Sequence, residues 1–416
     1  MSAKPTSFVE LTKDQRAQFT WLSSPPLKKV IAALEATEQG CARFVGGCVR
    51  DSLLGETPKD FDVATTLHPE KVVTALKAAG LGAAPTGIDH GTVTAIADHQ
   101  GVEVTTLRAD VSTDGRRATV AFTEDWATDA SRRDFRINAI YLTPEGSLYD
   151  PLGGLDDIKA RRVAFIGDAE ARIREDYLRI LRFFRFTARF SDSYDPTGLA
   201  ACAKLKDGIK QLSAERIGAE MTGILAHPRA ATALDAMNES AVLAEVWNAP
   251  PDVGAVAKLK DIAPASSASV ALAALYGESG DGIGGALRLS NAEKAIRSKA
   301  LSGVGEIAPG LGEQEVRVLI YHLGRDVFHD AIAVAYARGG IDKKEHARLA
   351  AISESWTAPA FPISGRHIVA AGVAAGPRVS KILAAVEAQW IAEGFPGNDR
   401  ARDIVTQIID ADAASE

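Results

Sequence analysis

The chain of 416 residues is longer than one hydrophobic core usually organises, so we expect two to four modules. Hydrophobic residues make up 46% and charged residues 24%, which excludes a generally disordered chain. The formal net charge of −7 excludes a uniformly basic nucleic-acid coat, although nine Lys or Arg against four Asp or Glu between residues 159 and 189 form a local basic patch.

Cysteines and apolar runs indicate the compartment. Cys41, Cys48 and Cys202 have neither the even count nor the spacing of a disulfide framework, and no CxxC pair suggests zinc. The N-terminus lacks the apolar stretch of a signal peptide, and no run reaches the roughly 18 apolar residues of a membrane span. We therefore expect a cytoplasmic location and no membrane contact. No feature of the sequence implies a stable protein partner.

Along the chain, the character of the segments changes from mixed to helical. After a polar lead, residues 43–150 alternate short strand-like runs with helical ones, but the polar run from Arg108 to Trp126 predicts a mobile connection. From Glu170 onward helical periodicity dominates, interrupted by Pro and Gly. We predict an α+β protein with an antiparallel-rich sheet and helices on one side. Its expected parts are a lead (1–26), a catalytic head (27–153), a helical neck (154–235) and a helical body and tail (236–416).

The strongest chemical signal is GGCVRD at residues 46–51, followed by KDFD at residues 59–62. Gly47 lets the backbone approach a ligand, the following helix would aim N–H groups at phosphate oxygens, and Arg50 can add charge there. Asp60 and Asp62 are two apart in a strand-like run, so both carboxylates should leave the same face, while Phe61 and its neighbour Val63 should face the core. Such hard oxygen ligands suit magnesium.

These motifs resemble the signature of the DNA polymerase β superfamily branch that contains bacterial CCA-adding enzymes and poly(A) polymerases. The runs RRDFRINAIY (132–141), YDPLGGLDDIKARRVAFIG (149–167) and EDYLRILRFFRFTARF (175–190) resemble later motifs of that family, in order. The resemblance covers roughly residues 40 to 235. It implies a nucleotidyltransferase head that uses Mg²⁺, and a helical remainder that grips tRNA through phosphates and shape.

Further site residues follow from the neighbouring motifs. Glu103 lies on a separate strand-like run and is the expected third catalytic carboxylate, with a solvent-facing glutamate as the alternative. The resemblance assigns Arg133 to the incoming nucleotide. Asp134 is a candidate nucleotide ligand that could instead cap a short helix. Arg136 departs from the family pattern, in which a small hydroxyl residue is common at this position.

The segment from Glu175 to Phe190 predicts a helix with an apolar stripe and a basic side. The basic side carries Arg182, Arg185 and Arg189, of which the first two are candidate nucleotide ligands. Asp176 and Arg179 lie three apart, so they could form a plain intrahelical salt bridge. Alternatively they could select the base, because cytosine and adenine both present an exocyclic amino donor beside a ring-nitrogen acceptor. The EDxxR pattern resembles the family's nucleotide-selecting element and favours base selection.

Together these features predict template-independent addition of CMP and AMP, as CCA, to the tRNA 3′ end from CTP and ATP. Three alternatives stay open: poly(A) addition, partial addition of CC or A, and non-catalytic RNA binding. Bacterial poly(A) polymerases usually carry a GRRF-like basic segment before the third-carboxylate strand, whereas this chain reads PTGIDHGTVTAIADH there. Every carboxylate that the chemistry needs is present, which disfavours a binding-only protein.

Overall fold

The computed structural model describes residues 8–114 and 117–413. These residues contain an eight-stranded mixed sheet, a separate strand pair and, from Ala169 onward, only helical elements. The predicted α+β class is thereby confirmed. Its strands are β1 (Val9–Glu10), β2 (Ala42–Val45), β3 (Asp62–Thr65), β4 (Gly82–Gly87), β5 (Thr92–Ala97), β6 (Gln100–Thr106), β7 (Arg108–Asp114), β8 (Arg117–Phe122), β9 (Tyr141–Leu142) and β10 (Ser147–Tyr149).

Two compact units divide the chain, one of residues 1–249 with 285–288 and the other of residues 250–284 with 289–416. Helices of the first unit are α1 (Lys13–Gln18), α2 (Pro25–Glu35), α3 (Gly47–Leu53), α4 (Pro69–Ala78), α5 (Trp126–Ser131), α6 (Gly154–Lys159), α7 (Ala169–Glu175), α8 (Leu178–Phe190), α9 (Pro196–Leu205), α10 (Ala214–Leu225), α11 (Ala230–Glu239) and α12 (Val242–Val246). Short 3₁₀ turns add Thr20–Ser23, Ile88–His90, Arg136–Asn138 and Lys206–Gln211.

The main sheet has the order β1-β10-β9-β2-β3-β6-β5-β4, and only β3 and β6 pair in parallel. Its core face packs against α2 and α4 through buried Leu27, Val30, Val72 and Leu76. On β3, Val63 belongs to this core whereas Ala64 belongs to a smaller cluster with Tyr141. Side chains alternate across a strand, so Asp62 shares the face of Ala64, away from α2 and α4.

The segment from Arg108 to Trp126 was predicted to be a connection, and this prediction is wrong. β7 and β8 pair antiparallel, from Arg108 opposite Phe122 to Asp114 opposite Arg117, with a register shift between Asp110 and Ser112. Residues 115 and 116, at the end of this hairpin, lie outside the described residues. The strands escaped detection because charged and small residues replace the apolar alternation on which a strand prediction depends.

The second unit is helical throughout the described part. Its elements are α13 (Val253–Ile262), α14 (Ala268–Tyr276), a 3₁₀ turn (Gly277–Gly280), α15 (Ile283–Ala286), which extends into the other unit, α16 (Asn291–Val304), α17 (Glu313–Leu323), α18 (Arg325–Ala337), α19 (Lys343–Ser355), α20 (Gly365–Ala370), α21 (Pro377–Ala392) and α22 (Asn398–Ala413). One core surrounds Phe328 and another surrounds Trp390. Within the described residues, every helix is too short or too polar to cross a membrane.

Candidate active site

A cavity of about 550 Å³ lies between the sheet face that carries Asp62 and helix α8. It is lined by Gly46, Gly47, Arg50, Asp62, Arg108, Arg132, Arg133, Asp134, Asn138, Asp176, Arg179, Arg182 and Phe186. Eight residues singled out from the sequence are therefore brought together here, from motifs up to 135 positions apart (182 − 47). Asp60, Glu103 and Arg185 were also singled out but do not line this cavity.

Asp62 is the first residue of β3, and Glu103 is its register partner on the parallel strand β6. Phe61 packs against the core, as Val63 does, which confirms the predicted apolar half of the alternation, whereas the shared face of Asp60 and Asp62 stays a prediction because the strand begins at Asp62. Burial raises the pKa of Asp62, and the negative charges of Glu103 and Asp60 raise it further, while Arg133 opposes them. Glu103 and Asp60 thus both act electrostatically on Asp62. Both are exposed, and Asp60 precedes the strand.

The donor set around Asp62 fits a divalent cation that a ligand helps to hold. Over residues 8–114 and 117–413, no three His, Cys, Asp or Glu side chains form a metal-binding group. No hydrogen bond or ion pair from another described residue engages the side-chain oxygens of Asp62. Mg²⁺ commonly takes only one or two carboxylates and completes its shell with water and substrate phosphates. The half-buried carboxylate beside two like charges is therefore a site that a cation would stabilise.

Gly46 brings the backbone close to the chemistry. It precedes α3 with φ of 72°, a conformation that side chains disfavour. A Cβ at this position would lie 3.5 Å from Asp62 Oδ2 and 3.8 Å from Arg133 Nη1. A Cβ would therefore touch both groups at ordinary van der Waals distances, so the positive φ, more than the space, is what favours glycine here.

Arg50 lines the cavity although its side chain is only 7% exposed. Its Nε and Nη2 lie 2.8 and 2.6 Å from Asp51 Oδ1, and its Nη1 donates to Asn138 Oδ1 at 2.6 Å. The guanidinium also lies over Phe186 and Phe190, 5.0 and 4.3 Å from the ring centroids. Its charge is already compensated by protein groups, so the expected phosphate contact stays a prediction.

Asp134 is a buried junction. Its Oδ1 accepts hydrogen bonds from the Phe135 N–H at 2.8 Å and from Asn138 Nδ2 at 2.9 Å. Its Oδ2 accepts from Arg182 Nε at 2.8 Å and forms an ion pair with Nη2 at 2.6 Å. Asp134 therefore fixes Asn138 and Arg182. It does not cap the 3₁₀ turn that follows, because the N-cap of that turn is Phe135 and no side-chain cap hydrogen bond is formed, so the capping alternative derived from the sequence is wrong. A hydrogen-bonded chain runs from Arg50 through Asn138 and Asp134 to Arg182.

Arg133 and Arg136 have different surroundings. Arg133 donates through Nη2 to Asp129 at 3.1 Å, and the same Asp129 oxygen accepts the Tyr141 hydroxyl at 2.7 Å. Arg136 Nε lies 2.8 Å from Oδ2 of the fully buried Asp157, without hydrogen-bond geometry. The residue that departs from the family pattern, Arg136, therefore links its 3₁₀ turn to α6 and does not line the cavity.

Asp176 and Arg179 both line the cavity but do not form the salt bridge that their spacing allows. Asp176 Oδ2 accepts from Arg216 Nη2 of α10 at 2.6 Å, while Oδ1 caps the Leu178 N–H at 3.1 Å. The backbone of Asp176 is extended, so α8 begins at Leu178 and not at Glu175, where the sequence predicted its start. Arg179 is held by Glu175 at 2.5 Å and by the Arg172 carbonyl at 2.6 Å.

Sequence reasoning missed several of the residues that build this site. Arg132, Asn138 and Phe186 line the cavity, and Arg216 and Glu220 of α10 fix arginines and aspartates of the neck. Asn138 lies four residues after Asp134, a spacing that could have suggested their contact. No local signal marks the partners from α10, since Arg216 lies 40 positions after Asp176 and Glu220 lies 38 positions after Arg182.

Comparisons with known proteins agree with this geometry. Residues 42–164 match the family model described as the Poly A polymerase head domain, and residues 194–249 match the one described as a probable RNA and SrmB-binding site of polymerase A. The mitochondrial CCA tRNA nucleotidyltransferase 1 of Danio rerio is 34% identical over 84% of this chain and 83% of its own length. That of Mus musculus is 33% identical over 92% and 90%.

Solved structures are similar over nearly the whole chain. The CCA-adding enzyme of Bacillus stearothermophilus in complex with CTP has a TM-score of 0.72 at 26% identity and covers 94% of this chain and 99% of that one. The Thermotoga maritima CCA-adding enzyme complexed with tRNA has a TM-score of 0.67 at 17% identity and covers 97% of this chain and 99% of that one. At this identity the similarity concerns the fold alone. The resemblance inferred from the motifs is thereby confirmed, and the chain belongs to the CCA tRNA nucleotidyltransferase and poly(A) polymerase family.

Proposed function

We propose that this chain adds CMP and AMP to the 3′ end of tRNA, restoring CCA from CTP and ATP with release of pyrophosphate. The observation that carries the proposal is one cavity that joins the carboxylate of Asp62 to the Asp176 and Arg179 pair. Asp62 is suited to phosphoryl chemistry. Asp176 and Arg179 are suited to a base that presents an amino donor beside a ring-nitrogen acceptor. Relatives across most of the chain carry the name CCA tRNA nucleotidyltransferase, which supports the same conclusion.

Family membership implies the use of a divalent metal ion, and we assign Mg²⁺ to Asp60 and Asp62, with Glu103 as their catalytic neighbour. A bound metal would stabilise charge on the triphosphate and activate the RNA 3′-hydroxyl. Gly46 and Gly47 leave the backbone open beside these carboxylates.

The triphosphate is assigned to the basic wall of the same cavity. Arg133 faces Gly46 and would contact phosphate oxygens, since its hydrogen bond to Asp129 uses only Nη2. Arg182 and Arg50 supply positive charge next to it, and Asp134 holds Arg182 in place. Because charge moves onto the departing pyrophosphate, such fixed guanidinium groups stabilise the transition state more than the ground state.

Base selection is assigned to Asp176 and Arg179. The carboxylate accepts from the exocyclic amino group of cytosine or adenine, and the guanidinium donates to the ring nitrogen. Uracil and guanine reverse both roles, so they would leave two polar groups unpaired. Arg216 and the Leu178 N–H fix the carboxylate, and the contacts of Arg179 with Glu175 and a backbone carbonyl fix the guanidinium. Rigid protein groups would thus act in place of a template.

Poly(A) addition is the second candidate, because the family includes poly(A) polymerases and the head-domain description names one. Partial addition of CC or A uses the same residues. The experiment that separates these functions incubates the purified protein with tRNA lacking its terminal CCA and with all four nucleotides, and then sequences the products. Addition of CCA followed by arrest supports the proposal, a long A tail supports the second candidate, and no extension refutes both.

A further inference from the structure

A second cavity, of about 420 Å³, adjoins the one that the nucleotide is proposed to fill. Arg50 and Phe186 belong to the walls of both cavities. The second cavity continues between Arg185 of α8 and a wall made of residue 223, in the last turn of α10, and residues 226–228, which follow that helix. Apart from Arg50, no residue assigned to the base, the triphosphate or the metal lines this space.

Arg185 gives the second cavity an incompletely paired positive charge. Its Nε lies 2.7 Å from Oε2 of the buried Glu220, but this ion pair lacks hydrogen-bond geometry. Its terminal amino groups donate no hydrogen bond to another residue in the described part of the chain. The side chain is 34% exposed, so these donors can reach a ligand. Arg189, by contrast, donates through Nη2 to Asp51 Oδ2 at 3.1 Å and to Glu56 Oε2 at 2.6 Å.

The aromatic residues of this cavity support the guanidinium groups and do not offer open faces for a base. Phe186 and Phe190 are only 7% and 4% exposed. Arg185 lies over Phe186 and Arg50 lies over both rings, with centroid distances of 4.3 to 5.0 Å. The arrangement therefore favours a phosphate, which guanidinium groups bind bidentately, over a stacked nucleobase.

We propose that the second cavity binds the RNA phosphodiester immediately upstream of the 3′-terminal nucleotide, with Arg185 as its principal ligand. The inference rests on the proposed function: a 3′-hydroxyl that attacks a nucleotide in the first cavity must belong to a strand that leaves through an adjoining space. The wall formed by residues 223 and 226–228 lies within the segment 194–249, whose family model is described as a probable RNA-binding site. Arg185 is thereby assigned to the RNA and not, as its sequence motif suggested, to the nucleotide.

The test compares full-length Arg185→Gln and Arg185→Lys with a matched control, Arg174→Gln. Arg174 is also a helical arginine paired with a glutamate, is 51% exposed, and lines neither cavity. Fluorescence anisotropy measures the dissociation constant for a tRNA that ends in CC, without nucleotide, over a series of KCl concentrations. A separate titration measures CTP binding. Melting temperatures verify that each variant is folded.

For Arg185→Gln we expect RNA binding about tenfold weaker, unchanged CTP binding, and a salt dependence shallower by about 0.7 in log–log slope, the value for one phosphate on a single strand. The lysine variant should restore the slope, because the charge remains. RNA binding equal to that of Arg174→Gln, or a loss confined to CTP binding, would overturn the inference. The measurement needs no catalysis, so failure of the wild-type protein to extend RNA would refute the proposed function alone.

Discussion

Replacement of Asp176 by alanine tests the proposed base selection most directly. In the wild-type protein, UTP and GTP present an acceptor to the carboxylate and a donor to Arg179, so two polar groups are left unpaired. Each costs about 1–3 kcal/mol. Asp176→Ala removes one of the two mismatches, so discrimination against UTP and GTP should fall by about 5- to 150-fold, at 1.4 kcal/mol per factor of ten.

The assay measures kcat/KM for each of the four nucleotides with tRNA that lacks CCA. The carboxylate also caps Leu178 and pairs with Arg216, so the variant could disturb the start of α8. Such damage would lower kcat/KM for all four nucleotides in the same proportion, whereas lost selection changes their ratios. Arg216→Gln is the matched control, because it removes the ion pair but keeps the carboxylate. Ratios equal to those of wild type in Asp176→Ala would refute the assignment.

Three further predictions concern stability as well as activity. Asp62→Asn should abolish CMP and AMP transfer alike and raise the melting temperature of the metal-free protein at neutral pH, since burial, Glu103 and Asp60 raise the pKa of Asp62. Stability linked to that raised pKa is present below the unfolded value and is lost as the pH rises through the folded one. Although burial raises the pKa of Asp134, its arginine partner and hydrogen bonds bring it below 3.8. Its contribution is present above the unfolded pKa and is lost as the pH falls through the folded one, so Asp134→Asn should cost about 1–3 kcal/mol at pH 7 and less in acid. Urea denaturation over a pH series measures this. Gly46→Ala should lower the melting temperature, because its φ of 72° costs a side chain about 1–3 kcal/mol, and should slow turnover.

Each of these predictions has an outcome that contradicts it. Residual transfer by Asp62→Asn above a few per cent of wild type would remove Asp62 from catalysis. A stability difference for Asp134→Asn that is constant between pH 2 and 7 would show that its charge is unimportant. Wild-type turnover and melting temperature in Gly46→Ala would mean that the close backbone approach is not needed.

The head could be predicted from sequence wherever one face of a strand is buried. The strand-like runs RFVGG, DFDVATT, TVTAIAD, GVEVTTL and AIYLT correspond to β2, β3, β5, β6 and β9, and the helical run HPEKVVTALKAAG corresponds to α4. β4 escaped because its residues, GAAPTG, include glycines and a proline and almost no β-branched residue. Such a composition is tolerated because β4 is the last strand of the sheet and has one free edge.

The sequence predicted which residues belong to the candidate site better than it predicted the contacts between them. Short motifs carry the residue types that phosphoryl chemistry needs, so Asp62, Arg133 and Asp176 could be singled out. Their partners come from distant segments, which local spacing does not predict. Asp176 pairs with Arg216, 40 positions away, and not with Arg179, three positions away. Contacts that depend on the packing of two helices follow from the tertiary fold, which no single motif encodes.

The buried polar chain from Arg50 to Arg182 has a consequence for how this protein can vary. Replacing Arg182 alone would leave the buried carboxylate of Asp134 without its charge partner, and replacing Asp134 alone would leave the Arg182 guanidinium without its nearest carboxylate. Substitutions here should therefore be non-additive, and a second change in the adjacent member should recover part of what the first one loses. Substitutions in this chain of four residues should therefore be tolerated mainly in pairs, whereas residues outside it can be replaced one at a time.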